Sequence, residues 1–161
     1  PAETIMHVGI THHEIDRMLA IAANWKKNGW RIDAPLADDK TITKESLMDK
    51  CRALFGFVPR LYLMGMSHNN CGGACIKAGQ AQWARLLWFL PDVYDWWERS
   101  EDRFRREIGE YTILSEGRIK RPMTLHDLRL RMQARWRDML PGFDPFDGLE
   151  ETPACVFCEA A

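Results

Sequence analysis

The sequence predicts an α/β protein, mostly helical, that carries a cysteine-ligated metal subdomain. Two observations point there. Short extended segments near the start alternate with amphipathic helices, after which the apolar periodicity is helical; and four cysteines stand in two pairs, Cys71-Gly72-Gly73-Ala74-Cys75 and Cys155-Val156-Phe157-Cys158. The 161 residues, 46% hydrophobic and 28% charged with a net charge of -1, suit one domain over 1–161. A chain of this size buries roughly 70% of its unfolded surface. Its apolar runs stop short of the ~20 residues of a membrane helix, and the opening lacks the charged head and apolar body of a signal peptide, so a cytoplasmic protein with no membrane partner is expected. Five cysteines, an odd number, without a secretion signal favour metal ligation over a disulfide framework.

The elements follow in order. Glu3 to Ile10 reads as a strand running into a helix, so an upstream portion is expected. Thr11 and Glu14 have the spacing of a capping box ahead of Ile15, Met18, Leu19 and Ala22, which share one helical face, and Asn28-Gly29 stops the helix. A second extended piece, Trp30 to Leu36, precedes a helix from Thr43 to Phe55 with Leu47, Met48, Cys51, Leu54 and Phe55 inward and Gly56 as its stop. Residues 1–58 thus read as the end of an α/β unit. Residues 59–161 read as a helical, metal-binding portion. There, one helix carries Trp83, Leu86, Leu87 and Leu90 on a stripe. The next, Asp92 to Ile108, turns Val93, Trp97, Phe104 and Ile108 inward. The last is opened by Thr124 with Asp127 and faces Leu125, Leu128, Met132, Trp136 and Met139 to the body.

The chemistry is concentrated between Pro59 and Trp83. Gly72 and Gly73 allow positive φ and close backbone approach to a bulky inorganic group, and Cys75 is expected near a helix start, where the dipole favours a thiolate. Two thiolate pairs complete a four-sulfur shell, and the eighty or so residues between them would tie the C-terminal tail to the loop. Thiolate ligation fits zinc and iron-sulfur alike. Structural zinc pairs usually lie within some twenty residues of one another, unlike these. Spacing leans away from zinc without deciding, so Cys71, Cys75, Cys155 and Cys158 stand as ligands of either an iron-sulfur cluster or zinc. Arg60 and Lys77 flank the loop as candidates for anionic substrate groups, and His68 and Asn70 as donors to sulfur or to a substrate oxygen; no residue is singled out as catalytic.

The run Gly65-Met66-Ser67-His68-Asn69-Asn70-Cys71-Gly72-Gly73-Ala74-Cys75-Ile76-Lys77-Ala78-Gly79-Gln80-Ala81-Gln82-Trp83, preceded by Pro59-Arg60-Leu61-Tyr62, resembles the C-terminal half of the phosphoadenosine phosphosulfate (PAPS) reductase-like family of phage and bacterial genomes. Arg121-Pro122-Met123-Thr124-Leu125 and the terminal cysteine pair extend the likeness to about Ile5 to Cys158. The resemblance implies the C-terminal portion of a PP-loop-type, adenine nucleotide α-hydrolase fold. The serine- and glycine-rich phosphate loop of that family is absent from these residues, so ATP or an adenylyl nucleotide is expected only with an N-terminal PP-loop portion or partner chain. The family's Glu-Cys-Gly nucleophile context is not matched by Cys158-Glu159-Ala160-Ala161. That shifts weight from sulfite-forming reductases toward sulfurtransferase relatives, including DNA-phosphorothioation and tRNA-thiolation types. Added to the spacing, the resemblance implies a [4Fe-4S] cluster on the two cysteine pairs, with zinc as the alternative; four ligating cysteines would close every iron, and three would leave one iron open to carry sulfur.

Arg118, Lys120, Arg121, Arg129, Arg131, Arg135 and Arg137 form a basic face over 118–137, a candidate contact for DNA or tRNA. A basic helix packed on an acidic neighbour explains the same pattern. A non-catalytic, metal-stapled interaction module docking on a protein or nucleic acid through tryptophan-rich helices is the alternative to an enzyme.

Overall fold

The computed structural model describes residues 3–67, 69–117 and 120–149, with nothing to be said of the Asn70 side chain. They form two compact units that divide between Val58 and Pro59. The protein is mixed α/β and mostly helical.

In the first unit, β1 (Ile5–His7) and β2 (Arg31–Asp33) pair in parallel, Met6 opposite Ile32, with α1 (Ile15–Lys26) as the crossover between them. This is a βαβ unit, the connection parallel strands require. The expected capping box of Thr11 and Glu14 does not form: Thr11 makes no side-chain cap bond, and Glu14 instead accepts from Arg17 at 2.6 Å. A single 3-10 turn, His12–Glu14, intervenes, so the residue spacing is right but the helix starts three positions late. After β2, a second turn leads to α2 (Lys44–Phe55). Thr43 and Ser46 close its N-terminus reciprocally, and left-handed Gly56 (φ 74°) ends it. Leu19, Leu54 and Phe55, expected inward, are exposed, and Cys51 is half-buried. Neither α1 nor α2 has a buried residue; among the described residues of this unit, Ile10, Ala34 and Ala37 are the buried apolar ones.

The second unit has a core. It contains α3 (Arg60–Leu63), α4 (Gln80–Phe89), α5 (Pro91–Glu107), an antiparallel hairpin of β3 (Leu114–Glu116) and β4 (Arg121–Met123), and α6 (Leu125–Arg137). Trp83, Leu86 and Leu87 of α4 meet Tyr94 of α5, Leu114 and Met123 of the hairpin, and Leu125, Leu128 and Met132 of α6. Edge-to-face contacts of Trp83 with Tyr94 and Trp97 order the aromatic centre.

The inward face of α5 differs from the periodic reading. Val93, Phe104 and Ile108 are exposed, whereas Tyr94 and Glu101 are buried. Glu101 is inside because its carboxylate accepts from two otherwise orphaned amides, Ile113 N-H at 2.8 Å ahead of β3 and Leu125 N-H at 2.6 Å in the first turn of α6. Tyr94 donates to the Leu125 carbonyl at 2.7 Å. Thr124 and Asp127 close the expected capping box on α6. Among the described residues no helix is long and apolar enough to cross a membrane.

Candidate functional site: the Cys71 to Cys75 turn

The cysteine segment is a tight turn fastened to α4. Met66, buried just after left-handed Gly65, donates its amide to the Leu61 carbonyl at 3.0 Å and anchors the entry to α3. The chain then makes a 3-10 turn, Asn70–Gly73, in which Cys71 (φ 57°, ψ 18°), Gly72 (φ 59°) and Gly73 (φ 88°) are successively left-handed. A cysteine there is uncommon, because its Cβ crowds the following carbonyl. At Gly73 a side chain would be strained at φ 88° and would have to displace its neighbours, since a Cβ would lie 2.8 Å from Met66 Sδ and 3.1 Å from Leu86 Cδ1. Ala74 N-H closes the turn on the Cys71 carbonyl at 3.0 Å, and Ala78 N-H closes the next on Cys75 at 2.9 Å.

Gln82, a residue the periodic reading leaves as helix filler, holds this segment in place. Its side chain is buried; Nε2 donates to the Gly73 carbonyl at 2.9 Å, and Oε1 accepts from Ser67 Oγ at 2.9 Å. Ser67 ahead of the cysteine turn and Gly73 within it are thus pinned to one side chain of α4. Gln80 adds a bond from Nε2 to the Ser115 carbonyl at 3.2 Å, fastening α4 to the hairpin. Nothing in the sequence distinguishes these glutamines from surface ones, since only the partner carbonyls make them buried polar groups that are satisfied.

The predicted site residues fare unequally. Cys71 is exposed and Cys75 is buried at opposite ends of the turn. Cys75 does not stand at a helix N-terminus as expected: α4 begins at Gln80 behind its Gly79 cap, because the backbone from Cys75 to Ala78 spends itself on a separate turn. Lys77, just beyond, is exposed, and Arg60 is exposed at the start of α3. Asn70 opens the 3-10 turn. His68, Cys155 and Cys158 lie outside the described residues, and among those described no three histidine, cysteine or acidic side chains are gathered for a metal. The donor set present is therefore half a shell, two sulfurs four residues apart, of the chemical type that an iron-sulfur cluster or zinc takes.

Two cations of the basic face of 118–137, Arg129 and Arg131, are engaged by acids of the same chain, and Arg118 lies outside the described residues. Arg129 makes a forked contact with Glu98, Nε to Oε2 at 2.9 Å and Nη2 to Oε2 at 2.6 Å, bonds Asp95 and lies 5.1 Å above the Tyr94 ring. His126 adds a contact to Glu98 at 3.0 Å, and Arg131 pairs with Glu116 at 2.8 Å. The acidic neighbour that accounts for these cations is α5 and the hairpin of the same chain. Lys120, Arg121, Arg135 and Arg137 are exposed.

Apolar side chains outline a separate cavity of about 410 Å³ in the second unit, bordered by Ile76 of the cysteine segment, by α5 and by the strand leading into β3. Burial raises the pKa of Glu101, which lines it, against the opposing pull of its two amide donors. Comparison with protein-family models, with curated proteins and with solved structures finds no match for the chain.

Proposed function

We propose that this chain is the iron-sulfur-binding C-terminal portion of a PAPS-reductase-like, nucleotide-dependent enzyme of sulfur chemistry, of sulfurtransferase or reductase type. The observation that carries the reading is the Cys71 to Cys75 turn. A left-handed cysteine is held where a glycine would be less strained, and a buried glutamine is spent on fixing the carbonyl between the two sulfurs. In this reading Cys71 and Cys75, with Cys155 and Cys158, hold the group. Bound there, a [4Fe-4S] cluster supplies electrons or, with one iron open, a sulfur atom. The work of the chain's own residues is positional. Gln82 and Gly73 fix the turn, Cys71 presents its sulfur at the surface, and exposed Arg60 and Lys77 offer charge to an anionic substrate. ATP or an adenylyl nucleotide would be held by an N-terminal PP-loop portion or partner chain. Contact with DNA or tRNA is proposed through the basic face of 118–137, where Arg121, Arg135 and Arg137 are exposed, in a cytoplasmic setting.

Anaerobic purification with iron, sulfide and zinc analysis tests this on the wild type, Cys71→Ser and Cys155→Ser. The expected result is a brown protein whose absorbance bleaches with dithionite, with loss of iron and sulfide in both variants. Colourless protein with stoichiometric zinc would replace the enzyme reading by a metal-stapled interaction module, and metal-free wild type would overturn both.

A further inference from the structure

The cavity beside α5 lies apart from the cysteine turn's own fastenings and has a chemistry of its own. Its volume of about 410 Å³ falls in the range of small-molecule sites. Three aromatic residues, Trp97, Phe104 and Tyr111, contribute to the wall, with Ile113 and Ile76 completing the apolar part. Phe104 and Tyr111 stand edge to face, with ring centroids 6.2 Å apart, and are 49% and 67% exposed, so large apolar surface is left at the mouth. Trp97 is backed by Trp83 at 5.9 Å and by Trp96 at 5.1 Å, which fixes the inner ring.

The hydroxyl and carboxylate groups of the lining favour one polarity of ligand. The Ser100 hydroxyl donates to the Trp96 carbonyl at 2.8 Å, and the Thr112 hydroxyl donates to the Leu114 carbonyl at 2.7 Å. Their protons are committed; lone pairs remain to be offered. Glu101 uses one lone pair of each oxygen on a backbone amide and keeps the others. Arg105, a cation that acts on Glu101, is engaged by Glu110 and is not part of the lining, while Asp102 adds negative charge nearby. Aromatic side chains, oxygen lone pairs and a carboxylate held out of water together suit a positive, weakly hydrated group.

We propose that this cavity binds a small organic cation, an alkylated ammonium on a compact apolar body, with Trp97, Phe104 and Tyr111 receiving the charged head by cation-π contact and Glu101 opposing its charge. The proposal does not rest on a cluster at the cysteine turn, although Ile76 of that segment lines the cavity.

Titration of the full chain with choline, followed by calorimetry and by the NMR signals of the Trp97 indole and the Ile113 amide, tests it. The comparator is the uncharged alcohol in which tert-butyl replaces trimethylammonium. Choline is expected to saturate both signals and to bind at least about tenfold more tightly than its neutral counterpart. Glu101→Gln should weaken choline by a similar factor. The double variant Phe104→Leu, Tyr111→Leu alters only exposed rings and so keeps the test open if Glu101→Gln does not fold; it should weaken choline several-fold while leaving the alcohol unchanged. Absence of saturation, equal binding of the two compounds, or undiminished choline binding by the double variant would each overturn the proposal.

Discussion

Residues 3–58 and 59–149 are assembled from the same local signals, yet only the second set encloses a core. Helices α2 and α6 both start from a threonine whose side chain and backbone close a reciprocal box three residues on. From that start α6 buries Leu125, Leu128 and Met132, whereas α2 buries nothing. Caps and stops decide where a helix lies. Its free energy comes mostly from the apolar face it buries. The first unit has well-marked elements with little holding them; a two-stranded parallel sheet is itself marginal.

Alanine substitutions at matched leucines would break the comparison most directly. Leu128→Ala removes a side chain with no exposure and should cost about 2–5 kcal/mol in urea unfolding. Leu19→Ala, at a position 57% exposed on α1, should cost under about 0.5 kcal/mol. Equal losses would mean that the units do not differ as described. Next in size, Arg129→Ala leaves Glu98, whose side chain is only 13% exposed, with His126 as its remaining partner and should cost roughly 2–3 kcal/mol, with Lys restoring only part because it cannot reproduce the fork. Gly73→Ala forces a Cβ onto Met66 and should cost about 2 kcal/mol, and it should speed alkylation of buried Cys75 relative to exposed Cys71.

Smaller effects sharpen the contrast. Thr124→Ala should lower global stability by about 1 kcal/mol, while Thr43→Ala should appear as faster hydrogen exchange confined to the first turn of α2. The finest probe is pH. Burial raises the pKa of Glu101, so its contribution to stability is full below the ordinary glutamate value and is lost as pH rises through the folded value. The stability of the wild type relative to Glu101→Gln should therefore fall with rising pH across that window. Asp127, whose pKa is lowered chiefly by its bond from Thr124, runs the opposite way but is common to both proteins. A difference that grew with pH would show that the two amide bonds outweigh burial.

Where periodicity and capping coincide, the sequence is legible. The α4 stripe of Trp83, Leu86 and Leu87, the start of α6 at Thr124 and the stop of α2 at Gly56 all stand where expected. Helix α5 defeats the same reading, because an apolar count cannot place a glutamate inside. Glu101 is inside through amides 12 and 24 residues further along the chain. The hairpin of β3 and β4 was equally hard to see, since three-residue strands carry too few alternations to show a period. At the candidate site the cysteine turn and its glycines were readable from residue type. The hold exerted by Gln82 was not, since it depends on which carbonyl faces α4.

Trp83 has no exposed surface, and its indole Nε1 finds no acceptor. Trp96, by contrast, is 56% exposed to solvent. An excited indole lowers its energy by reorienting surrounding dipoles, and a ring enclosed by hydrocarbon has few to reorient. Trp83 should accordingly emit at the blue end of the tryptophan range and shift to the red only when water reaches the centre of the helical unit. The molecule carries its own optical gauge of whether that core is dry.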